Sequence, residues 1–265
     1  MTAVDIATRP TSMLLADLLP IGLADLDDRA ALRVRTDRKY LVGTDVLERV
    51  VDALGDDVRA LEIDGRREFG YESTYYDTPD FDSYLGAARS RPDRFKVRVR
   101  RYLDADQAWL EVKTRDRCGR NVKHREVWAP SDADVCAIGG IGATGHRPFL
   151  SRFAVVRPHL DSLRPVLTTA YRRSTLVLGA ARATIDTDLC CTDGSGFRVG
   201  VGSEVVVETK SPGTAGEVDH LLWSFGVRPS RISKFGIGMA ALHPELPANK
   251  WHRTLGRHVR LEPTR

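Results

Sequence analysis

Residues 95–102 read FKVRVRRY. Strict alternation sets Phe95, Val97 and Val99 on one side of an extended chain and Lys96, Arg98 and Arg100 on the other. A repeat of period two is the mark of a strand rather than a helix. The pattern recurs to either side. In a strand predicted over 31–42, Arg33, Arg35, Asp37 and Lys39 share a face. Over 107–115, Glu111, Lys113 and Arg115 oppose Leu110 and Val112, and over 121–128 Asn121, Lys123 and Arg125 lie together. Over 181–188, Arg182, Thr184, Asp186 and Asp188 face Ala183 and Ile185. Over 203–210, Glu204, Glu208 and Lys210 face Val205 and Val207. Further strands are predicted at 69–77 and 171–178, with turn signals at Asp77–Asp80 and Asp104–Asp106. Many strands with few helices between them predict an α+β fold built on an antiparallel sheet or β-barrel, not repeated βαβ units.

Helices are expected at 44–54, with Thr44 as cap and Gly55 as stop, and at 214–225, with Thr214 as cap. A last helix over 231–242 is weakened by Gly236 and Gly238. Residues 12–28 form an amphipathic segment broken at Pro20, and 145–163 read as helical or irregular with breaks at Pro148 and Pro158. An N-terminal helical extension (1–29), a central domain (30–243) and a loosely held basic tail (244–265) follow from these signals.

The 265 residues are 42% hydrophobic and 29% charged, with a net charge of +4. This is a globular composition and excludes disordered, collagen-like and coiled-coil chains. No run of 18 apolar residues marks a membrane span, and the N-terminus shows no secretory signal. Cys118, Cys136, Cys190 and Cys191 lack metal or disulfide-framework spacing, so a cytoplasmic chain with reduced thiols is expected.

The near-neutral total hides a run from Arg89 to Arg101 dense in Arg and Lys with the single acid Asp93. Such a run marks an anionic partner or a solvated strand face. In one arrangement the polar faces of a half-buried sheet meet solvent. In the other, the apolar faces lie under helices and the charged faces line a closed barrel. The excess of Arg and Lys, with carboxylates recurring in the same strands, suits a polyanion and a divalent cation. Gly140, Gly142 and Gly145 match a dinucleotide fingerprint but lack its strand, helix start and acid, and are read as a connector. The seven histidines form no close ligand pair, and Tyr71, Tyr75 and Tyr76 are read as packing residues. Tyr40 is expected to pack under a helix, and Ser233 to cap the last helix or touch phosphate.

Nine segments, in order, resemble the VTC domain, the polyphosphate polymerase branch of the triphosphate tunnel (CYTH-like) superfamily, in its stand-alone bacterial form. They are RTDRKYLV (35–42), YESTYYDTPDFDSY (71–84), FKVRVRRY (95–102), WLEVKTR (109–115), GRNVKHR (119–125), TTAYRRS (168–174), ARATIDTDL (181–189), VVVETK (205–210) and SRISKFGIG (230–238). The resemblance implies a tunnel of antiparallel strands whose basic lining binds the triphosphate of ATP, with polyphosphate as product. It implies Arg98, Arg100, Arg173 and Lys234 as catalytic residues around the γ-phosphoryl group. Lys39, Arg35, Lys96, Lys113, Lys123, Arg125, Arg182, Lys210 and Ser233 would contact substrate. Glu208 would hold Mn2+ or Mg2+, with Glu111 and Asp186 as helpers. The implied activity is ATP-dependent polyphosphate synthesis; a triphosphatase and a non-catalytic polyphosphate-binding module are the alternatives. ATP and polyphosphate are the implied partners, with no nucleic acid and with any membrane partner supplied separately. Hydrolytic members open with Glu-x-Glu-x-Lys, whereas this chain has Arg35, Asp37 and Lys39 at those positions, which removes acid and favours the polymerase branch.

Overall fold

The computed structural model describes residues 11–29, 36–129 and 140–262. Arg33, Arg35 and Cys136, singled out above, lie outside the described residues. In chain order the elements are α1 (Thr11–Leu14), β1 (Leu19–Ile21), α2 (Leu23–Arg29), β2 (Thr36–Val42), α3 (Thr44–Asp52), β3 (Arg59–Leu61) and β4 (Phe69–Asp77). There follow α4 (Asp82–Ala88), β5 (Lys96–Tyr102), β6 (Gln107–Arg115), β7 (Asn121–Val127), α5 (Arg147–Ser151) and β8 (Arg164–Leu178). The remainder are β9 (Ala181–Thr192), β10 (Arg198–Gly200), β11 (Val205–Ser211), α6 (Glu217–Ser224), α7 (Lys234–Leu242), α8 (His252–His258) and β12 (Arg260–Glu262). The α+β class expected from the alternation is present: a mostly antiparallel sheet flanked by helices. Among the described residues the strand pairing is an open path and does not close into a ring.

The chain divides into two compact units. The first comprises Met1–Phe69, Arg172–Leu189 and Val201–Ser230. There β11 runs antiparallel between β2 and β9, with Glu208 opposite Lys39 and Thr184, and Lys210 opposite Asp37 and Arg182. Tyr40, Val42, Val205, Val207, Ala183 and Ile185 turn the other way. They are buried against Leu47, Val50 and Val51 of α3 and Val218 and Leu222 of α6. Burying this apolar face under two helices is what fixes the strand register, because a slip of one residue would bury the charges instead.

The second unit comprises Gly70–Tyr171, Cys190–Gly200 and Arg231–Arg265. Its β4, β5, β6 and β7 form an antiparallel run. Phe95, Val97, Val99, Leu110 and Val112 pack under Ile141, Phe149, Leu150, Val156 and Leu160. His124, of opposite parity to Lys123 on β7, has its ring centre 5.0 Å from that of Phe153 on this side.

Several expectations are corrected. Thr44 and Thr214 do not cap their helices; Gly43 and Gly216 occupy the N-cap positions. Pro148 starts a helix instead of breaking one, since its missing N–H is an orphan there in any case. The segment after Pro244, expected to be loosely held, carries α8 and β12. Trp251 is 2% exposed, and β12 pairs with β10. Gly236 and Gly238 do not merely weaken α7. A Cβ at Gly236 would lie 2.2 Å from the Trp251 ring, and one at Gly238 would lie 2.8 Å from Leu167. Both are absences of side chain that close packing demands. The Gly140–Gly145 stretch is a connector as expected, with a single 3-10 turn over Ile141–Ala143.

Candidate functional site: two charged strand faces

In the second unit the register aligns three rows across β4 to β7. Tyr75, Arg98, Glu111 and Arg125 form one row. Lys96, Lys113 and Lys123 form the next, and Ser73, Arg100 and Trp109 the third. Like charges directly opposite destabilise a strand pair. Three lysines in register and three arginines, with Glu111 the one carboxylate in these rows, form a face suited to an anion.

Glu111 is 1% exposed and Arg98 8%. Arg98 donates to Glu111 Oε2 from Nε at 2.7 Å and also from Nη2, and Lys123 Nζ donates to Oε1 at 3.2 Å. Burial pushes the Glu111 carboxyl up, but Arg98, Arg100 and Lys123 overcome it and hold the pKa at about 2. Burial also works against the Arg98 charge; Tyr75, Glu111 and Tyr171 more than offset it. Arg98 further donates from Nη1 to the Tyr75 hydroxyl at 3.0 Å. Arg100 donates to Ser73 Oγ at 3.3 Å and to the Tyr171 hydroxyl at 2.8 Å.

Lys113 reaches water but is walled by cations. Its ammonium is held well below the usual lysine range, first by Arg98, then by desolvation and Arg100. Ser233 fulfils its capping role, accepting from Gly236 N at 3.2 Å, and its oxygen also accepts from Lys96 Nζ at 2.9 Å. Lys234 Nζ stands 4.3 Å from the centre of the Tyr171 ring, and Arg125 lies 4.4 Å over Trp109. Both are cation–π placements that hold a charge without neutralising it.

In the first unit the charged face centres on Glu208. It pairs with Lys39 through Oε2 and with Lys210 through Oε1 at 3.0 Å. Burial raises its pKa, but Lys39 and Lys210, with help from Arg173, keep it well below the usual carboxylate range. Lys210 is pulled down to about 8, chiefly by desolvation. Arg173 forks onto Asp186 with contacts of 2.5 and 2.8 Å. Arg182 lies opposite Lys210 on the same face. Beneath, Asp219 of α6 accepts from Tyr40 Oη (2.6 Å), Thr209 Oγ1 (2.6 Å), Arg38 Nη1 (3.3 Å) and Gly216 N (2.8 Å). Tyr40, Arg38 and Thr209 neighbour Lys39, Glu208 and Lys210 in sequence, so this buried carboxylate sets the strands that carry them.

A divalent metal finds no protein cage. Among the described residues no group of three or more His, Cys, Asp or Glu side chains gathers. The donor set on this face is Glu208, held ionised by Lys39 and Lys210, and the Asp186 carboxyl group, with the Thr184 hydroxyl opposite Glu208. Thr184 Oγ1 is buried without a hydrogen-bond partner among the described residues. One or two carboxylates suit a hard cation that brings phosphate oxygens with it, the habit of Mg2+.

Alternation found the basic faces but not Tyr75 and Tyr171, whose hydroxyls hold Arg98 and Arg100. Tyr75 does pack, stacked on Phe235 with ring centres 5.0 Å apart, but its hydroxyl also meets Arg98; its parity with Ser73, opposite Arg98 and Arg100, is the signal that places it. Ser73 carries no charge and was missed for that reason.

Two solved structures share the fold. One is a candidate adenylate cyclase from Bacillus halodurans, 14% identical, with a TM-score of 0.51 over 76% of this chain and 94% of that one. The other is HpAC1 from Hippeastrum, a candidate adenylyl cyclase described as having a dominant triphosphatase activity. It is 15% identical, with a TM-score of 0.50 over 78% of this chain and 96% of that one. No curated protein sequence matches the chain. Residues 34–243, which carry both charged faces, match the VTC domain, and the chain belongs to that family.

Proposed function

We propose that the protein is an ATP-dependent polyphosphate polymerase. The γ-phosphoryl group passes from ATP to the terminal phosphate of a polyphosphate chain. The bond to the β-phosphate oxygen breaks, a new phosphoanhydride forms, ADP leaves and the chain grows by one. The observation that carries this reading is the Lys96–Lys113–Lys123 row beside Arg98 and Arg100. Five cations against the single carboxylate of Glu111 match a row of phosphates better than a single carboxylate or phosphate.

Phosphoryl transfer spreads charge over the equatorial oxygens, so positioning and neutralisation supply most of the rate. Arg98 is immobilised by Glu111 and Tyr75, and Arg100 by Ser73 and Tyr171. Their guanidinium groups are therefore oriented before substrate arrives. Lys96, Lys113, Lys123 and Lys234 add point charges, and Arg125 a further guanidinium. In this reading Glu111 acts as a counter-ion for Arg98. The acceptor is already anionic, so no general base is assigned.

In the first unit, Glu208, with Asp186 and Thr184, would hold Mn2+ or Mg2+. When bound, the cation neutralises phosphate oxygens. Lys39, Arg173, Arg182 and Lys210 would keep this face basic around it. Among the described residues no helix is long and apolar enough to cross a membrane. In this reading any export of the product is assigned to a separate membrane partner.

Incubation with ATP and Mn2+, read separately for polymer, ADP and free phosphate, tests the proposal. Polymer formed with an equal amount of ADP supports it. ATP consumed to free phosphate without polymer would make the protein a triphosphatase. No consumption, with polyphosphate still bound, would make it a binding module.

A further inference from the structure

The basic face of the second unit does not end at the Lys96–Lys113–Lys123 row. Arg115, the last residue of β6, lies on the same side as Glu111 and Lys113. Phe95 is buried with Val97, so the alternation of β5 extends backwards and puts Arg94 beside Lys96. The segment beyond α7 brings a further cation. Tyr84 donates to the Pro247 carbonyl at 3.0 Å, and Trp251 is buried against α7. These anchors place Lys250 at the C-terminal end of α4, where its Nζ donates to Ala87 O at 3.0 Å and Ser90 Oγ at 3.1 Å.

Arg94, Arg115 and Arg231 all act on Lys250, lowering its pKa after desolvation, the largest cause. Desolvation and Arg115 do the same to Arg94. The geometry agrees: the Lys96–Lys113 register, carried two residues on, sets Arg94 opposite Arg115, a Cβ at Gly86 of α4 would lie 3.2 Å from Arg94 Cβ, and Ser233, two residues after Arg231, accepts from Lys96 Nζ, so the four cations lie at one end of this face. Among the described residues none of the four forms an ion pair with a carboxylate, and Arg115 Nε is buried without a hydrogen-bond partner. Arg94, Arg115 and Arg231 lie within the residues 34–243 that match the family, and Lys250 lies beyond them.

We propose that Arg94, Arg115, Arg231 and Lys250 form a second anion site, which takes the continuing chain of a linear polyphosphate longer than three phosphates. The proposal rests on reading the β5–β6 face as a phosphate site. A triphosphate seated at the lysine row would leave the second site unfilled, whereas a longer chain would run on to it.

The test compares binding of tripolyphosphate and of long-chain polyphosphate to the full chain and to a Lys250→Gln/Arg231→Gln variant, across a salt series. Long-chain affinity should fall on the order of tenfold. Its log–log salt slope should become shallower by about 1.4, at about 0.7 per lost contact with a single-stranded polyanion. Tripolyphosphate affinity should not change, which also reports that the variant is folded. Equal losses for both ligands, or no loss for either, would overturn the second site alone. Single-stranded DNA of equal charge binding as tightly as polyphosphate, and weakening equally in the variant, would replace it with a general polyanion patch. Failure of the unaltered protein to bind tripolyphosphate would overturn the phosphate reading itself, and this proposal with it.

Discussion

Replacing Glu111 with Gln isolates the electrostatics of the candidate site. Glu111 is 1% exposed and shared between Arg98 and Lys123. Its pKa falls from 4.5 to about 2 in the folded chain, which corresponds to about 3 kcal/mol of stability at neutral pH. Because the folded value is the depressed one, that stability is fully present above pH 4.5 and is lost as pH falls towards 2. Removing one partner of a buried pair costs about 3–5 kcal/mol, a consistent figure reached independently. Glu111→Gln should therefore lower Tm by roughly 6–12 °C at neutral pH, taking about 2–4 °C per kcal/mol for a chain of this size. The deficit should shrink in acid, where the native carboxylate is being protonated. Saturating tripolyphosphate should recover part of the loss, because the ligand replaces the missing negative charge beside Arg98. Thermal unfolding of both proteins, at neutral and acid pH and with and without tripolyphosphate, measures all three effects. A deficit under about 1 kcal/mol, or one equal at both pH values, would refute the pairing.

The remaining predictions concern other parts of the two units. Lys113→Met removes one charge from a crowded row, so the ligand-free protein should be as stable or more so, while tripolyphosphate affinity falls roughly tenfold; calorimetry gives both. Anion binding should be accompanied by proton uptake, because Lys113, held low by Arg98 first, regains its usual affinity for a proton when phosphate offsets its neighbours; heats measured in buffers of different ionisation enthalpy report it. Asp219→Asn leaves Tyr40, Thr209 and Arg38 competing for a poorer acceptor and should cost about 2–4 kcal/mol in urea unfolding. Asp77 is raised from 3.8 to about 6, chiefly by burial, although three backbone amides oppose this. The folded chain thus holds that proton more tightly than the unfolded one, so stability contributed there declines as pH rises from 3.8 to about 6; a pH series of Tm should lose that slope in Asp77→Asn.

The period-two pattern made the basic faces legible before any coordinate, because side-chain parity survives tertiary packing. Val97 and Lys96 had to face opposite ways, and they do. Parity could not say which face water reaches. That answer lies in the helical cover, with Phe149 and Leu150 over β5 and β6, and α3 and α6 over β2 and β11. The three-residue strands β1, β3, β10 and β12 were missed because three residues carry no period. Helix α4 was missed because its start is satisfied from outside the helix: the Asp77 side chain accepts from Ser83 N at 2.8 Å and Tyr84 N at 2.9 Å. The sequence there, with Pro79 and a left-handed Phe81, reads as a turn. The same distance effect hid Tyr171, whose hydroxyl meets an arginine 71 residues away.

The most direct test of the account is a crystal structure with tripolyphosphate bound. The account predicts phosphate oxygens within hydrogen-bonding distance of Lys113 Nζ and the Arg100 guanidinium, along the Lys96–Lys113–Lys123 row. Tripolyphosphate bound elsewhere, with that row facing only water at saturating ligand, would contradict it.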